Sequence, residues 1–278
     1  MKIKNLLWAG CSFSAGSAFT SKPSWHSNVI DEPFIFAHDG LKKYFKEPFT
    51  NKNIKNQIRE ITFPVQLGNK MKCNIIKNFS VGGMGYPINT RKLFSYLINN
   101  PDNIEFKETV IGIQLTSFQR DELLKTHPNG DIEFAYLDGE SHENHAKQYI
   151  TNYWNPVYSV IKSLYDLNVF KGWCESKGIK IHFFGFYGFV YQQILIYRAK
   201  YDKMITQVNL HELTHDNINF PSINTLIRNL EIIELDELNF GTFHTDGYHN
   251  DTHLSPNGHS MVADNLFNIF TKQLKYEI

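Results

Sequence analysis

A serine within a run of small residues is the first candidate for chemistry in this sequence. Ser12 lies in GCSFSAG, Gly10 to Gly16, directly after a short apolar run that predicts a β-strand. A serine on a tight turn between a strand and a helix exposes its hydroxyl beside backbone N–H groups, which can bind a developing oxyanion. The segment therefore favours a nucleophilic Ser12, although a Gly-rich strand end is also compatible with an ordinary turn or part of a phosphate-binding loop.

A histidine-rich segment near the other end of the chain offers the base that such a serine needs. It reads DGYHNDTHLSPNGH, from Asp246 to His259. A carboxylate two or three residues before a histidine can fix the imidazole tautomer and stabilise the imidazolium, while the other ring nitrogen faces the serine. Asp251 with His253 is one such pair, and Asp246 with His249 is a second.

These segments resemble sequence blocks of the SGNH/GDSL hydrolases, a family of esterases and acylhydrolases. GCSFSAG resembles the first block, and DTHLSPNGHSMVAD resembles the last, in which a catalytic His precedes a Pro and the closing helix. FPVQLGNKMKCNIIKNFSVGGMG resembles the second block, whose glycine contributes an N–H group to the oxyanion hole, and Gly83 takes that position. The resemblance implies Ser12 as nucleophile, His253 as its base, and the N–H groups of Ser12 and Gly83 as oxyanion donors.

The third block departs from the family pattern. It should contain a Gly-x-Asn motif, but here the strand VIGIQL continues into TSFQR, residues 116 to 120, without an asparagine. Thr116, Ser117 or Gln119 could supply the third oxyanion donor instead, and we expect Ser117 to do so.

The acidic residue that should accompany the serine and the histidine also departs from the family pattern. The family has an aspartate three residues before the histidine, where this sequence has Asn250, and Asp251 lies only two residues before His253. The residues that follow His253 match the family block and favour the pair with Asp251. Asp246 and His249 remain the alternative acid and base.

The resemblance implies hydrolysis of an ester through an acyl-enzyme, with no metal and no cofactor. The substrate is expected to be a small-molecule or carbohydrate ester. A carbohydrate O-acetyl ester is the first expectation, and a short-chain acyl ester or thioester is the second.

Two other classes of protein compete with this interpretation. A binding or structural module that kept the hydrolase fold and lost its activity would explain the missing asparagine, because a fold does not fix a function. A zinc metalloprotease is the remote alternative: HELTH places His211 and His215 on one face of a helix with Glu212 as a base. Asn219, Phe220 and Pro221 would end such a helix, and a chain with 12 histidines sometimes contains the pattern by accident.

The elements that would position these residues follow an α/β alternation. It predicts a three-layer α/β/α sandwich with a mostly parallel sheet of about five strands, which is the flavodoxin-like fold that the resemblance implies. The predicted strands are residues 3–9, 74–78, 109–115, 179–186 and 231–235. The predicted helices are residues 61–72, 86–99, 146–176 with a kink or restart at Pro156, and a last helix from Ser255 whose buried stripe comprises Met261, Val262, Leu266, Ile269 and Phe270.

Three polar stretches with interspersed aromatics do not fit the alternation: residues 18–59, 117–144 and 187–228. We interpret them as long loops inserted into a single domain that spans residues 1–278, where such loops usually form lids or substrate walls. Within the first stretch, NKNIKNQ, residues 51–57, is interpreted as a solvated surface loop.

Composition limits which binding partners and which cellular compartment we expect. Lys and Arg total 28 and Asp and Glu total 28, so no basic field favours nucleic acid. The longest apolar and aromatic run, residues 181–191, is too short to span a membrane. Three widely spaced cysteines and the lack of a signal-peptide pattern favour a reducing compartment, so we expect a cytoplasmic protein and leave a virion or other assembly as the alternative.

Overall fold

The computed structural model describes residues 2–10, 46, 51–80, 86–115, 121–126, 132–137, 156–186, 221–235, 254 and 256–277. The strands in these ranges are β1 (Asn5–Ala9), β2 (Ile75–Asn78), β3 (Thr109–Gln114), β4 (Asp121–Thr126), β5 (Ile132–Leu137), β6 (Lys180–Phe186) and β7 (Ile233–Leu235). The helices are α1 (Asn51–Ile61), α2 (Phe63–Lys70), α3 (Tyr86–Asn99), α4 (Pro156–Ser176), α5 (Ile223–Leu230) and α6 (Pro256–Asn268), with a π-helical turn at Ile269–Gln273 after α6.

Five strands form one sheet in the order β2-β1-β3-β6-β7, and every neighbouring pair is parallel. This is the order of flavodoxin-like folds, in which the chain winds from the centre of the sheet toward both edges. β4 and β5 pair with each other in antiparallel fashion, outside that sheet. The predicted fold class and the five predicted strands are therefore confirmed, with boundaries shifted by at most two residues.

Two buried clusters lie on opposite faces of the sheet. Leu7 and Ala9 of β1 belong to a cluster with buried residues of α3, α4 and α5. Leu6 and Trp8, which alternate with them, belong to a cluster with residues of α2 and α6. Because successive side chains of a strand point to opposite faces, this alternation places helices on both sides and gives the three-layer sandwich.

Among the described residues, Trp8 is the largest fully buried side chain, and it lies in the second cluster. Its ring stacks on Phe184 at a centroid distance of 5.1 Å and meets Phe63 edge to face at 5.3 Å. The ring also lies over Gly112 of β3, where it occupies the space that a Cβ atom would need. A glycine in a central strand thus makes room for the tryptophan that joins the sheet to α2.

The predicted end of α4 is confirmed. Gly178 has φ of 76°, a left-handed conformation that glycine adopts without steric cost. The N–H of Ile179 donates to the carbonyl of Cys174, and the N–H of Gly178 donates to that of Glu175. These two bonds form a Schellman motif, which satisfies carbonyls at the helix end.

Several details of the sequence prediction were wrong. Residues 51–57 belong to helix α1 rather than a loop. In the sequence, Ile54, Ile58 and Ile61 recur at helical spacing. The stretch 117–144 contains the β4–β5 hairpin, and 187–228 includes most of α5. Met261 is 37% exposed and is not part of the buried stripe of α6, whereas its neighbour Val262 is fully buried.

In the ranges that the structure describes, no helix combines the length and the apolar character needed to cross a bilayer.

Candidate active site at the carboxyl edge of the sheet

Three neighbouring strands end at the same edge of the sheet. β1 ends at Ala9, β2 at Asn78 and β3 at Gln114, and β1 pairs in parallel with both of the others. The connection from β1 to β2 packs on one face and that from β2 to β3 on the other, because α2 and α3 belong to opposite clusters. In open parallel sheets, ligands bind outside the carboxyl ends at such a switch point.

The side chain of Asn78 ties the end of β2 to the start of α2. Its Nδ2 donates to Oγ1 of Thr62, the residue before α2, at 3.4 Å. Its Oδ1 accepts a hydrogen bond from the backbone N–H of Ser80 at 3.1 Å, which closes an Asx turn. Asn78 thereby fixes both the exit of β2 and the position of α2 at this edge.

His259 joins the start of α6 to the same place. Its Nδ1 accepts a hydrogen bond of 3.2 Å from the N–H of Phe63, the first residue of α2. That N–H has no acceptor within its own helix, so the imidazole serves as an N-terminal cap from another element. The ring also stacks on Phe63 at a centroid distance of 5.8 Å, and His259 is buried.

The direction of α6 follows from contacts along its length. His259 in its first turn meets the start of α2, and Asp264 further along pairs with Lys70 at the end of α2 at 2.7 Å. Beyond the helix, Glu277 forms a β-bridge with Lys2, next to the beginning of β1. The helix therefore starts at the carboxyl edge and runs toward the amino edge of the sheet.

Several buried polar groups near this edge lack partners. Ser80 follows β2, and Asn89 and Ser159 lie in the opening turns of α3 and α4, which also start at the carboxyl edge. Within the described part of the chain, Ser80 Oγ, both amide atoms of Asn89 and Ser159 Oγ make no hydrogen bond. Such groups are uncommon in folded proteins, and each one costs free energy unless a ligand or water satisfies it.

Two titratable groups near this edge have altered pKa values. Burial, together with the neighbouring charge of Arg91, lowers the pKa of Lys92 on α3. Burial raises the pKa of Glu234 on β7, whose carboxylate packs against Gly185 of β6. Both groups lose solvation in their charged forms, as is common around binding sites.

The residues singled out from the sequence lie outside the described residues. These are Ser12, Gly83, Ser117, Asp246, His249, Asp251 and His253, together with His211, Glu212 and His215 of the zinc motif. What the structure does describe is their framework, namely the strand ends that precede Ser12, Gly83 and Ser117 in the sequence and the helix that follows His253. Among the described residues, no cluster of three or more His, Cys, Asp or Glu side chains could hold a metal ion.

The sequence analysis missed the parts played by Asn78 and His259. An asparagine at the last position of a predicted strand is a signal for an Asx turn. His259 offered a weaker signal, since a histidine in the first turn of a helix can cap either its own helix or a neighbour. Only the packing of α6 against α2 distinguishes the two.

No protein family and no curated protein matches this sequence. Among solved structures, the chain is similar to a carbohydrate esterase described as having divergent catalytic and non-catalytic binding functions, at 15% identity and a TM-score of 0.44 over 98% of this chain and 70% of that one. It is also similar to the acetyl xylan esterase Est2A of Butyrivibrio proteoclasticus, at 11% identity and a TM-score of 0.44, over 98% of this chain and 64% of that one.

A third similar structure is a lipolytic protein of the G-D-S-L family from Desulfitobacterium hafniense DCB-2, at 10% identity and a TM-score of 0.38, over 96% of this chain and 99% of that one. The chain thus spans about two thirds of the length of the first two structures and nearly all of the third. The fold class of this chain stands on its own strand order, which is the parallel α/β arrangement described above.

Proposed function

We propose that this protein is a serine-dependent ester hydrolase, with Ser12 as nucleophile, His253 as general base and Asp251 as the acid that orients it. One observation carries the proposal. The strand end that precedes Ser12 and the helix start that follows His253 lie at the same edge of the sheet. The described residues next to two candidates that are about 240 residues apart in the sequence therefore lie at one edge, as a nucleophile and its base require.

Chain length limits how far each candidate can lie from this edge. Ser12 follows Ala9 by three residues in the sequence, and a residue adds at most about 3.6 Å to the reach of an extended chain. Its Cα atom is therefore within about 11 Å of the end of β1. His253 adjoins Leu254, which is fully buried in the same cluster as Trp8 of β1.

In the proposed reaction, His253 accepts the proton of the Ser12 hydroxyl as Ser12 attacks the ester carbonyl. The N–H groups of Ser12 and Gly83 stabilise the oxyanion, and Ser117 supplies a third donor in place of the missing asparagine. His253 then gives its proton to the leaving alcohol. Water, activated by the same imidazole, hydrolyses the acyl-enzyme and restores Ser12.

The substrate that we propose is an ester of a carbohydrate, with an O-acetyl group first and a short acyl chain or thioester second. The support for this part is the resemblance of the three sequence blocks. Two of the similar structures are an acetyl xylan esterase and a carbohydrate esterase.

Hydrolysis of p-nitrophenyl acetate by matched serine variants tests the proposal. Ser12→Ala should lower kcat by at least about 1000-fold, because the nucleophile is lost. Ser14→Ala changes a serine of the same GCSFSAG segment and should stay within about threefold of the wild type. Equal activity of the two variants would contradict the assignment of Ser12.

A second set of variants separates the two candidate acid–base pairs. His253→Ala and Asp251→Asn should both lower kcat, whereas His249→Ala and Asp246→Asn should not. The reverse pattern would move the base to His249. If the wild type hydrolyses none of the acetyl-sugar, short acyl and thioester substrates, the protein is instead a binding module on a hydrolase fold.

A further inference from the structure

The short segment that contains Gly83, the proposed oxyanion donor, joins two elements of fixed position. It follows β2, which ends at Asn78, and it leads into α3 at Tyr86, whose side chain is fully buried. Gly83 is three residues from Ser80 and three residues from Tyr86 in the sequence, so its Cα atom is within about 11 Å of each of theirs. The position of Gly83 therefore depends on how the chain leaves β2.

The exit from β2 is attached to β1 and to α3. The backbone N–H of Phe79 donates to the carbonyl of Trp8, in the last turn of residues before β1 ends, at 2.7 Å. The ring of Phe79 packs against Tyr96 of α3 at a centroid distance of 5.1 Å, and Lys77 Nζ lies 5.9 Å from the centroid of the same tyrosine ring. The edge strand is thus fixed next to the strand that precedes Ser12 in the sequence.

The side chain of Asn78 fixes the next step of this exit. Its Oδ1 accepts a hydrogen bond of 3.1 Å from the N–H of Ser80. A side-chain oxygen that accepts from the N–H two residues ahead holds the backbone between them in a turn. This bond therefore sets the direction in which the chain runs from β2 toward Gly83.

The nitrogen of the same amide reaches the start of α2. Asn78 Nδ2 donates to Thr62 Oγ1 at 3.4 Å, and Thr62 Oγ1 donates in turn to the carbonyl of Arg59 at 2.7 Å. The next residue, Phe63, donates its N–H to Nδ1 of His259 on α6 at 3.2 Å. The start of α2 is thus bonded both to the end of β2 and to the first turn of α6.

These bonds connect the two halves of the proposed site. One end of the path is Ser80, which precedes Gly83 by three residues, and the other end is His259, which follows His253 by six residues. Asn78 lies between them and bonds in both directions. A change in its side chain is therefore expected to alter where the oxyanion donor lies relative to the base.

We propose that Asn78 is a positioning residue for the oxyanion hole: its amide holds the segment that contains Gly83 in place relative to the helix start to which α6 is attached. The inference rests on the proposed function and extends it, because Asn78 acts on the reaction through Gly83. A misplacement of about 1 Å is enough to slow a reaction about 100-fold. The effect falls on kcat rather than on KM, since the oxyanion forms only in the transition state.

Variants at the two ends of β2 test this role. Asn78→Ala should lower kcat for p-nitrophenyl acetate about 100-fold and leave KM within about threefold. Asn78→Asp keeps an oxygen that can accept from Ser80 but loses the donor to Thr62, so its kcat should be at least about tenfold higher than that of Asn78→Ala. Asn74→Ala, the matched control, removes an exposed asparagine just before β2 and should keep kcat within about twofold of the wild type.

A sulfur analogue of the ester separates positioning from a general loss of structure. In the thiono ester, sulfur replaces the carbonyl oxygen and accepts weaker hydrogen bonds, so an intact oxyanion hole favours the oxygen ester. The ratio of kcat/KM for the oxygen ester to that for the thiono ester should fall at least about tenfold in Asn78→Ala and stay unchanged in Asn74→Ala. If Asn78→Ala does not fold, Asn78→Asp should show a smaller fall of the same ratio.

Combination with a variant of α6 tests the second half of the path. If Asn78 and His259 act through the same helix start, the kcat of the double variant Asn78→Asp, His259→Phe should fall by clearly less than the product of the two separate losses. Losses that multiply would show that the two residues act independently, which contradicts the placement relative to α6.

The outcomes distinguish this inference from the proposed function. If Ser12→Ala is inactive but the Asn78 variants keep the kcat and the ester ratio of the wild type, the hydrolase stands and the role of Asn78 is overturned. An equal fall of both esters in Asn78→Ala would overturn that role as well, because loss of structure alone reduces both rates alike. If the wild type hydrolyses no ester, the proposed function fails and the inference fails with it.

Discussion

The polar groups at the two ends of the parallel sheet differ in how they are hydrogen-bonded. At the amino end, Asn5 donates to Thr109 at 3.1 Å, and Glu108 Oε2, a buried atom without another described partner, forms an ion pair of 2.6 Å with Lys4. Nearby, His182 Nε2 and Tyr276 Oη share a hydrogen bond of 2.6 Å. At the carboxyl end, Ser80, Asn89 and Ser159 have buried polar atoms that are left without a described partner.

This difference indicates that the amino end of the sheet contributes to stability, whereas the carboxyl end serves function. Paired groups at the amino end join neighbouring elements of the fold. A β-bridge between Lys2 and Glu277 also joins the two ends of the described chain there. Unpaired groups at the carboxyl end cost stability, and natural proteins retain such groups mainly where a ligand, a water or a reaction uses them. Variants at each end can therefore test whether the two ends differ in this way.

The largest effect is expected from the pH dependence of stability at the amino end. Burial, with Lys180 and Lys171 nearby, lowers the pKa of His182 to about 4. In the unfolded chain a histidine has a pKa of about 6.5, so the unfolded state binds the proton first as the pH falls. The contribution of neutral His182 to the free energy of unfolding is therefore fully present above pH 6.5. It is lost as the pH falls from 6.5 to 4, by up to about 3 kcal/mol.

Chemical denaturation at several pH values measures how the free energy of unfolding changes with pH. His182→Gln can keep a hydrogen bond to Tyr276 but cannot be protonated, so its free energy of unfolding should fall less between pH 6.5 and 4.5 than that of the wild type. Parallel slopes for the two proteins would show that His182 is not a buried neutral base.

A smaller effect is expected where α6 is attached to α2. His259→Phe keeps a ring that can stack on Phe63 but leaves the N–H of Phe63 without its acceptor, which should cost about 2 kcal/mol. Since α6 follows His253, kcat should also fall. His259→Asn places an oxygen close to where Nδ1 lies and should recover part of both losses. A His259→Phe variant with wild-type stability and kcat would show that the cap does not position the helix.

The smallest effect has the opposite sign. Asn89→Leu replaces an unpartnered buried amide with an apolar side chain of similar size and should raise the free energy of unfolding by about 1 kcal/mol. Asn5→Leu, the control at the amino end, removes a satisfied amide and should lower it. Destabilisation by both changes would mean that the two ends do not differ.

Most of the sheet could be predicted from the sequence, because its strands are short apolar runs and the central strands β1 and β3 are buried on both faces. Residues 3–9 and 109–115 differ from the observed strands by two residues or fewer. The hairpin was missed although His127-Pro-Asn-Gly-Asp131 contains Asn-Gly, a strong signal for a tight turn between strands. Helix α1 was missed because its polar composition concealed three isoleucines at helical spacing.

The framework of the candidate site was harder to predict. The sequence supplied Ser12 and His253 as candidates, since their neighbours match known blocks. It could not supply the hydrogen bond from Phe63 to His259, which joins residues 196 positions apart, or the hydrogen bond from Asn78 to Thr62, which joins a strand end to a helix start. Such features depend on which helices pack together, and no local pattern encodes that choice.

Covalent labelling tests the central claim most directly. The full chain would be treated with a fluorophosphonate probe, and the adduct would be located by intact mass and peptide mapping. A single adduct on Ser12, absent from Ser12→Ala and slowed in His253→Ala, is the predicted result. An unlabelled wild type, or an adduct on another serine that persists in Ser12→Ala, would contradict the assignment of this edge of the sheet as a serine hydrolase site.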